Sequence, residues 1–298
     1  MDTVPHLFCD AVAGTIAEIK NTSEQLESAD HSRFSTWKAA FGNHADNRSR
    51  ISLSIGLHSG KWWSYKLVDR KNGFEVVDFA YIKQLKKKYL RIRSVEIFAI
   101  QYHLSNRQEI DEIIKFILPF VNSADLYLGY EEIDESDLSV LFSYFQSASF
   151  KGITAYDYKQ CYENLLRIHL QSDCFKRLRI DGNGWSQELQ TDLQEFVLKK
   201  PFREVRCNDT NLVFDRIFFE NVFEWNPPEK ETRFYGNFSI TCEQLRAFKK
   251  SLQDSSHRSS IDSSHRNAIV WKRKDGVRIS LHDYAAPCLH IKLFNNLK

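Results

Sequence analysis

The chain has 298 residues, with 41 Lys and Arg against 39 Asp and Glu, a formal charge of +2, 42% hydrophobic residues and 22 Phe. This balance predicts globular folding around Phe, Leu and Ile in more than one module, and supplies no global field to draw nucleic acid or an acidic membrane. No run approaches the roughly 20 apolar residues of a membrane span, the start MDTVPHLFCDAV lacks a basic n-region, and the 6 Cys form no C-x-x-C pair, so a reduced, cytoplasmic or nuclear setting is expected.

Residues 1–42 read as a helical module. Val4, Phe8, Val12 and Ile16 recur every fourth residue among alanines, and Phe34, Trp37 and Phe41 mark a second short helix. Residues 43–50 read as a linker. Residues 43–93 as a whole form a meander and connector. In it Ile51, Leu53, Ile55 and Leu57 alternate with Ser52, Ser54, Gly56 and His58, strands follow at 62–68 and 74–79, and Lys71-Asn72-Gly73 turns the chain between those two. Residues 81–89 read as a short helix, within a basic run of Lys83, Lys86, Lys87, Lys88, Arg91 and Arg93 that suits a solvated face or a phosphate-binding surface.

Residues 94–253 read as a strand–helix array. Candidate strands centre on Ile97, Leu126, Ile153, Leu178 and Val205, at spacings of 29, 27, 25 and 27 residues, with a looser copy near Phe234. Apolar helical stripes follow each: Ile110, Ile113, Ile114 and Ile117; Leu138, Leu141, Phe142 and Phe145; Tyr162, Leu165, Leu166 and His169; Leu189, Leu193, Phe196 and Val197; Phe214, Ile217, Phe218 and Val222; and Leu245, Phe248 and Leu252. The clearest copy is residues 176–202, where Leu178 and Ile180 alternate with Arg177 and Arg179, Gly182-Asn183-Gly184 turns, and Ser186 caps the helix. A unit this small cannot bury its own apolar faces, and the period matches a leucine-rich repeat. The fold class expected is therefore α/β, a degenerate leucine-rich-repeat-like solenoid with an N-terminal helical module and antiparallel β capping segments. A plain α/β domain of alternating strands and helices is the competing reading. Residues 254–298 read as a Ser-rich loop, with DSSHR repeated at 254–258 and 262–266, followed by a β hairpin cap.

No nucleophile elbow, zincin motif, P-loop or dinucleotide fingerprint occurs, so no catalytic residue, metal ligand or cofactor is assigned and the chain is read as non-enzymatic. His257 and His265 belong to the duplicated loop, and His282 and His290 to the terminal strands. The acidic run Glu131, Glu132, Asp134, Glu135 and Asp137 lacks EF-hand spacing and suits a helix N-terminus. The array surface is the better candidate site. With Leu178 and Ile180 turned inward, Arg177 and Arg179 face out, and the same alternation aligns Glu204, Arg206, Tyr127, Glu96 and Phe98 as a partner-binding face.

The N-terminal residues carry a resemblance. Val4-Pro5, the face of Phe8, Val12 and Ile16, and the later Ser35-Thr36-Trp37 resemble an F-box, and the layout is similar to nematode F-box-like proteins with a divergent leucine-rich-repeat-like C-terminal region. The resemblance implies a substrate receptor of a cullin-based ubiquitin ligase. It implies that Val4, Pro5, Phe8, Val12 and Trp37 meet the ligase adaptor protein, and that the C-terminal region holds an unknown protein substrate. The alternative is a free-standing recognition protein of the same layout without ligase association.

Overall fold

The computed structural model of the protein describes residues 6–15, 35–58, 62–71, 73–99, 103–129, 133–225 and 231–240, positions 244 and 247, and strands 258–261, 268–272, 278–283 and 288–294. These residues form two compact units, 1–125 and 126–298.

In the first unit, helices α1 (His6–Thr15) and α2 (Ser35–Asn47) pair through buried Cys9, Ala13, Ala40 and Phe41. Helix α2 runs on through the expected linker, because His44 is buried and meets Asp10 of α1 at 3.0 Å, while the Asn47 amide donates to the Asn43 carbonyl. Strand β1 (Ser49–His58) pairs antiparallel with β2 (Trp62–Asp69), which carries β3 (Glu75–Val77) and β5 (His103–Ser105) on its other side. The Ile97 strand, β4 (Leu90–Phe98), lies parallel to β1. Ile51, Leu53 and Ile55 face the core beside Ile92, Val95 and Ile97, all at most 3% exposed. The basic run divides between α3 (Phe79–Gln84), a 3-10 turn at Lys87–Tyr89, and β4. Helix α4 (Arg107–Ile117), capped by Asn106, buries its four isoleucines.

The second unit opens within β6 (Asp125–Leu128), at Leu126, and continues with α5 (Glu135–Phe145), β7 (Gly152–Ala155), α6 (Gln160–Leu170), β8 (Arg177–Gly182), α7 (Gln187–Lys199), β9 (Glu204–Thr210), the short β10 (Val213–Phe214), α8 (Arg216–Glu224) and β11 (Glu231–Phe238). The expected helical stripes are buried, and Ser186 caps α7 through the Leu189 amide at 3.0 Å. The stripe of α8 differs. The helix starts at Arg216, so its period turns Phe218, Phe219 and Val222 inward and leaves Ile217 67% exposed, while Phe214 belongs to β10. Asp134 caps α5 through the Ser136 amide, the helix-terminal role expected of the acidic run; Glu131 and Glu132 lie outside the described residues. The helical stripe expected at 245–252 and the paired His257 and His265 also lie outside them.

Strands β7, β8, β9 and β11 run parallel in register, and the order continues β11-β15-β14-β13-β12 with β15 antiparallel to β11. These last strands are β12 (Arg258–Ile261), β13 (Ala268–Lys272), β14 (Arg278–Asp283) and β15 (Cys288–Phe294). This corrects the expected fold. The protein has a mixed parallel and antiparallel sheet whose strand order leaves sequence order, and it is not a leucine-rich-repeat-like solenoid. The physical reason is that a parallel pair of strands needs a crossover of a dozen or more residues whatever the architecture. A period of 25–29 therefore arises from β-α-β units in an open sheet as readily as from a solenoid. The Ser-rich stretch is corrected in part as well, since Arg258–Ile261 pairs with β13.

Candidate functional site

The parallel strands of the second unit alternate strictly. Ile153, Leu178, Val205 and Phe234 are register partners, as are Ala155, Ile180 and Cys207, all at most 2% exposed on the face that carries the helices. The opposite face carries two rows across four strands. One runs Gly152, Arg177, Glu204, Arg233, and the other Thr154, Arg179, Arg206, Tyr235.

The second row places Arg179 directly opposite Arg206, a like-charge pair that would repel. Each guanidinium turns away from the other. Arg179 pairs with Asp181 at 2.9 Å and lies over the Tyr156 ring, 5.3 Å from its centroid; Arg206 pairs with Glu204 and lies over Tyr235 at 4.5 Å. In the first row Arg233 pairs with Glu231 at 2.7 Å, and that carboxylate holds its guanidinium above its ordinary pKa. Burial pushes the Tyr235 phenol up, against the opposing pull of Arg206. Arg179 and Arg206 are thus two neighbouring Arg–carboxylate–aromatic groups. Arg179 side chain is 45% exposed and Arg206 35%. Arg and Tyr with this geometry suit recognition of another protein.

The loops at the ends of these strands are held by side chains from neighbouring strand–helix repeats. Asn211 accepts from the Gly184 and Trp185 amides at 3.0 Å each and donates to the Trp185 carbonyl at 2.8 Å. Asn237 donates to the Thr210 carbonyl at 2.9 Å. Gly184 has φ +112, and a Cβ there would lie 2.7 Å from the Tyr158 ring, itself edge-on to Trp185. Buried Glu163 on α6 accepts from the Ser186 amide and hydroxyl at the head of α7. The rows therefore sit on a stiffened frame.

Of the expected partner-binding residues, Arg177, Arg179, Glu204 and Arg206 share this face, with Arg177 half-buried and its Nε fully enclosed. Tyr127 is half-buried on β6. Glu96 and Phe98 belong to β4 in the first unit, where Glu96 accepts from Ser54 and Ser94 at 3.1 Å and lies 3.7 Å from Arg70. Sequence reasoning passed over Tyr156, Asp181, Glu231, Arg233 and Tyr235. A signal was there: R-x-D at 179–181 and E-x-R at 204–206 and 231–233 place opposite charges on one face of a strand.

At the N-terminus, Phe8 is 54% exposed and stands edge-on to Trp37 at 6.0 Å, and Trp37 stacks on Phe41 at 5.9 Å. Val12 and Trp37 are half-buried; Val4 and Pro5 lie outside the described residues. Elsewhere, Cys9, Cys161, Cys174 and Cys207 are unbridged, and among the described residues no three His, Cys, Asp or Glu side chains gather as a metal site. The register sets His282 opposite His290. No helix among the described residues is long and apolar enough to cross a membrane. No protein-family model, curated protein or solved structure matches the chain.

Proposed function

We propose that the chain is a non-catalytic protein-recognition scaffold, the substrate receptor of a cullin-based ubiquitin ligase, acting in the cytoplasm or nucleus. In this reading α1 and α2 meet the ligase adaptor through Phe8, Val12 and Trp37, with Val4 and Pro5 just before them, and the rows of the second unit hold a protein substrate. The observation that carries it is the exposure of Phe8, 54% of a large apolar side chain left in water beside Trp37. In the isolated chain that ring keeps only its edge-on contact with Trp37, whereas covering its exposed half in a complex recovers roughly 2 kcal/mol.

A specific observation favours a second reading, a free-standing recognition protein without ligase association. The helical pair is tied into its own unit, by Lys88 to Asp10 at 3.2 Å and by Arg48 to the Ala13 carbonyl at 3.0 Å. Pull-down of purified adaptor by the wild-type chain and by Phe8→Asp separates the two. The ligase reading expects capture by the wild type and its loss in Phe8→Asp, with the protein still folded and its melting temperature lowered only by the lost Trp37 contact. Failure of the wild type to capture the adaptor removes the ligase role and leaves the free-standing reading.

A further inference from the structure

Strand β3 ends the sheet on the β2 side. It pairs with β2 through Leu67–Val77, Val68–Val76 and Asp69–Glu75. Among the described residues no strand pairs with its other edge, where the strand order stops. Such an edge offers unpaired N–H and C=O groups to another chain. It is also apolar, with Val76 50% exposed and Phe74, just before the strand, 65% exposed.

Phe74 carries a second sign. Its φ is +66, a left-handed backbone that a bulky side chain adopts only at a cost. Gly73 before it, at φ +77, meets no such penalty. With the Phe74 ring two-thirds in water, packing does not offset the strain. The Arg70 guanidinium lies over the ring, 5.5 Å from its centroid, and an exposed contact of that kind contributes little.

Phe74 and Val76 belong to one surface. The register sets Val76 beside Val68, Val68 beside Ser52 and Ser52 beside Ser94, so these share the sheet face opposite Ile51, Leu53 and Ile55. Arg70 lies on that same face. It donates to the Ser52 hydroxyl at 2.6 Å and stands 3.7 Å from Glu96, and its guanidinium brings the Phe74 ring to the same side. Glu75 points the other way, beside Asp69, and is exposed.

Three features specify an occupant. The free edge suits an extended segment whose backbone continues the ladder. Phe74 and Val76 suit apolar side chains at alternate positions on one face. Glu75 suits a basic side chain between them on the other. A second copy of this chain fits poorly, because two-fold pairing of β3 sets one residue opposite itself. Centred on Glu75, it opposes two carboxylates, which is destabilising. Centred on Val76, it sets Phe74 against Asp78, where the chain has left the strand and the carboxylate caps α3 through the Tyr81 amide at 2.6 Å. We propose that β3 is a docking edge for an extended apolar–basic–apolar segment of a partner protein, which adds to the sheet as a further strand. The site uses none of the residues assigned above to the adaptor or the substrate.

The test is fluorescence anisotropy with the full chain and a labelled β-hairpin peptide whose free edge carries Val-Lys-Val, a probe already extended before it binds. The wild type should bind. Phe74→Asn should weaken binding about tenfold while melting close to the wild type, since asparagine tolerates the left-handed backbone. Replacing the peptide lysine by glutamate should weaken binding to the wild type, and Glu75→Lys in the chain should reverse that preference. The hairpin with its free-edge amides N-methylated should not bind. Absence of binding by the wild type, a charge preference that Glu75→Lys leaves unreversed, or equal binding of the methylated hairpin would each overturn the proposal. So would a melting temperature well below wild type in Phe74→Asn, which would make the ring structural. Sedimentation velocity of the chain alone tests the other occupant: a dimer that Phe74→Asn dissociates would overturn the proposal in favour of a second copy.

Discussion

His169 shows what burial does to one titratable side chain in this protein. It is 2% exposed, edge-on to Phe150 at 5.3 Å, with Nε2 enclosed and unpartnered and the other ring nitrogen held by the Phe145 carbonyl. Desolvation pushes its pKa from 6.5 down to about 4. The folded value lies below the ordinary one, so the unfolded chain takes up the proton more readily, and stability present above about pH 6.5 is lost as the pH falls toward about 4. At 1.36 kcal/mol per unit the loss is roughly 3 kcal/mol. Buried His44 adds to it with the same sign, its pKa lowered by burial against the pull of Asp10. His169→Gln should be less stable than the wild type near neutrality, through the lost ring contact, yet lose distinctly less stability on acidification. Urea unfolding at a series of pH values checks this, and parallel profiles for the two proteins would exclude His169 as the source. The sequence placed His169 on an inward helical stripe by its spacing from Tyr162 and Leu166. Its pKa was not legible there, because desolvation depends on Phe150 and Phe145, which other elements bring.

At the scale of elements, local chemistry was readable and pairing was not. Alternation told which side of β8 carries Arg177 and Arg179, and Ser186 announced the head of α7, because both depend on residues within a few positions of each other. That Arg206 lies over Tyr235 depends on β11 being the neighbour of β9, which no local pattern states. Arg177 has its Nε enclosed, so reversing it risks the fold, whereas Arg179 and Arg206 are a third or more exposed. Arg179→Glu with Arg206→Glu should therefore cost under about 1 kcal/mol at each site, since exposed ion pairs contribute little. The same change should abolish cross-linking to protein partners that the wild type captures. A charge-matched control on the helix side, Arg167→Glu with Arg216→Glu, should retain them. Retention by the first double variant would rule out the row as the binding face. A stability loss well beyond that range would make its arginines structural.

At the scale of the whole molecule, the strand–helix alternation between residues 125 and 238 was legible and the architecture built from it was not. Spacing reports the length of a crossover, and that length is common to solenoids and open α/β sheets. What separates them is the far side of β11, where a solenoid would add another parallel strand and this chain adds β15 running the other way. Here Phe234 pairs with Ile291 and Thr232 with Leu293, and all four are at most 1% exposed. Phe234 also meets Phe214, Phe218 and Phe238 with centroids 5.0–5.8 Å apart. The terminal strands thus share a core with the parallel ones. In a repeat array each unit contacts only its neighbours, and loss at one end frays locally. In a mixed sheet with a shared core the second unit should fail as a whole. Ile291→Ala should lower its unfolding free energy by about 2–5 kcal/mol in a single transition. Truncation after residue 253 should leave the β11 edge bare and the product prone to aggregate. Chemical denaturation followed by circular dichroism reads the first, through the loss of the helices and strands that make up the bulk of the second unit. If Ile291→Ala left that signal at the wild-type midpoint while a second, earlier transition appeared, the terminal strands would be a separable cap and the shared core would carry no cooperativity.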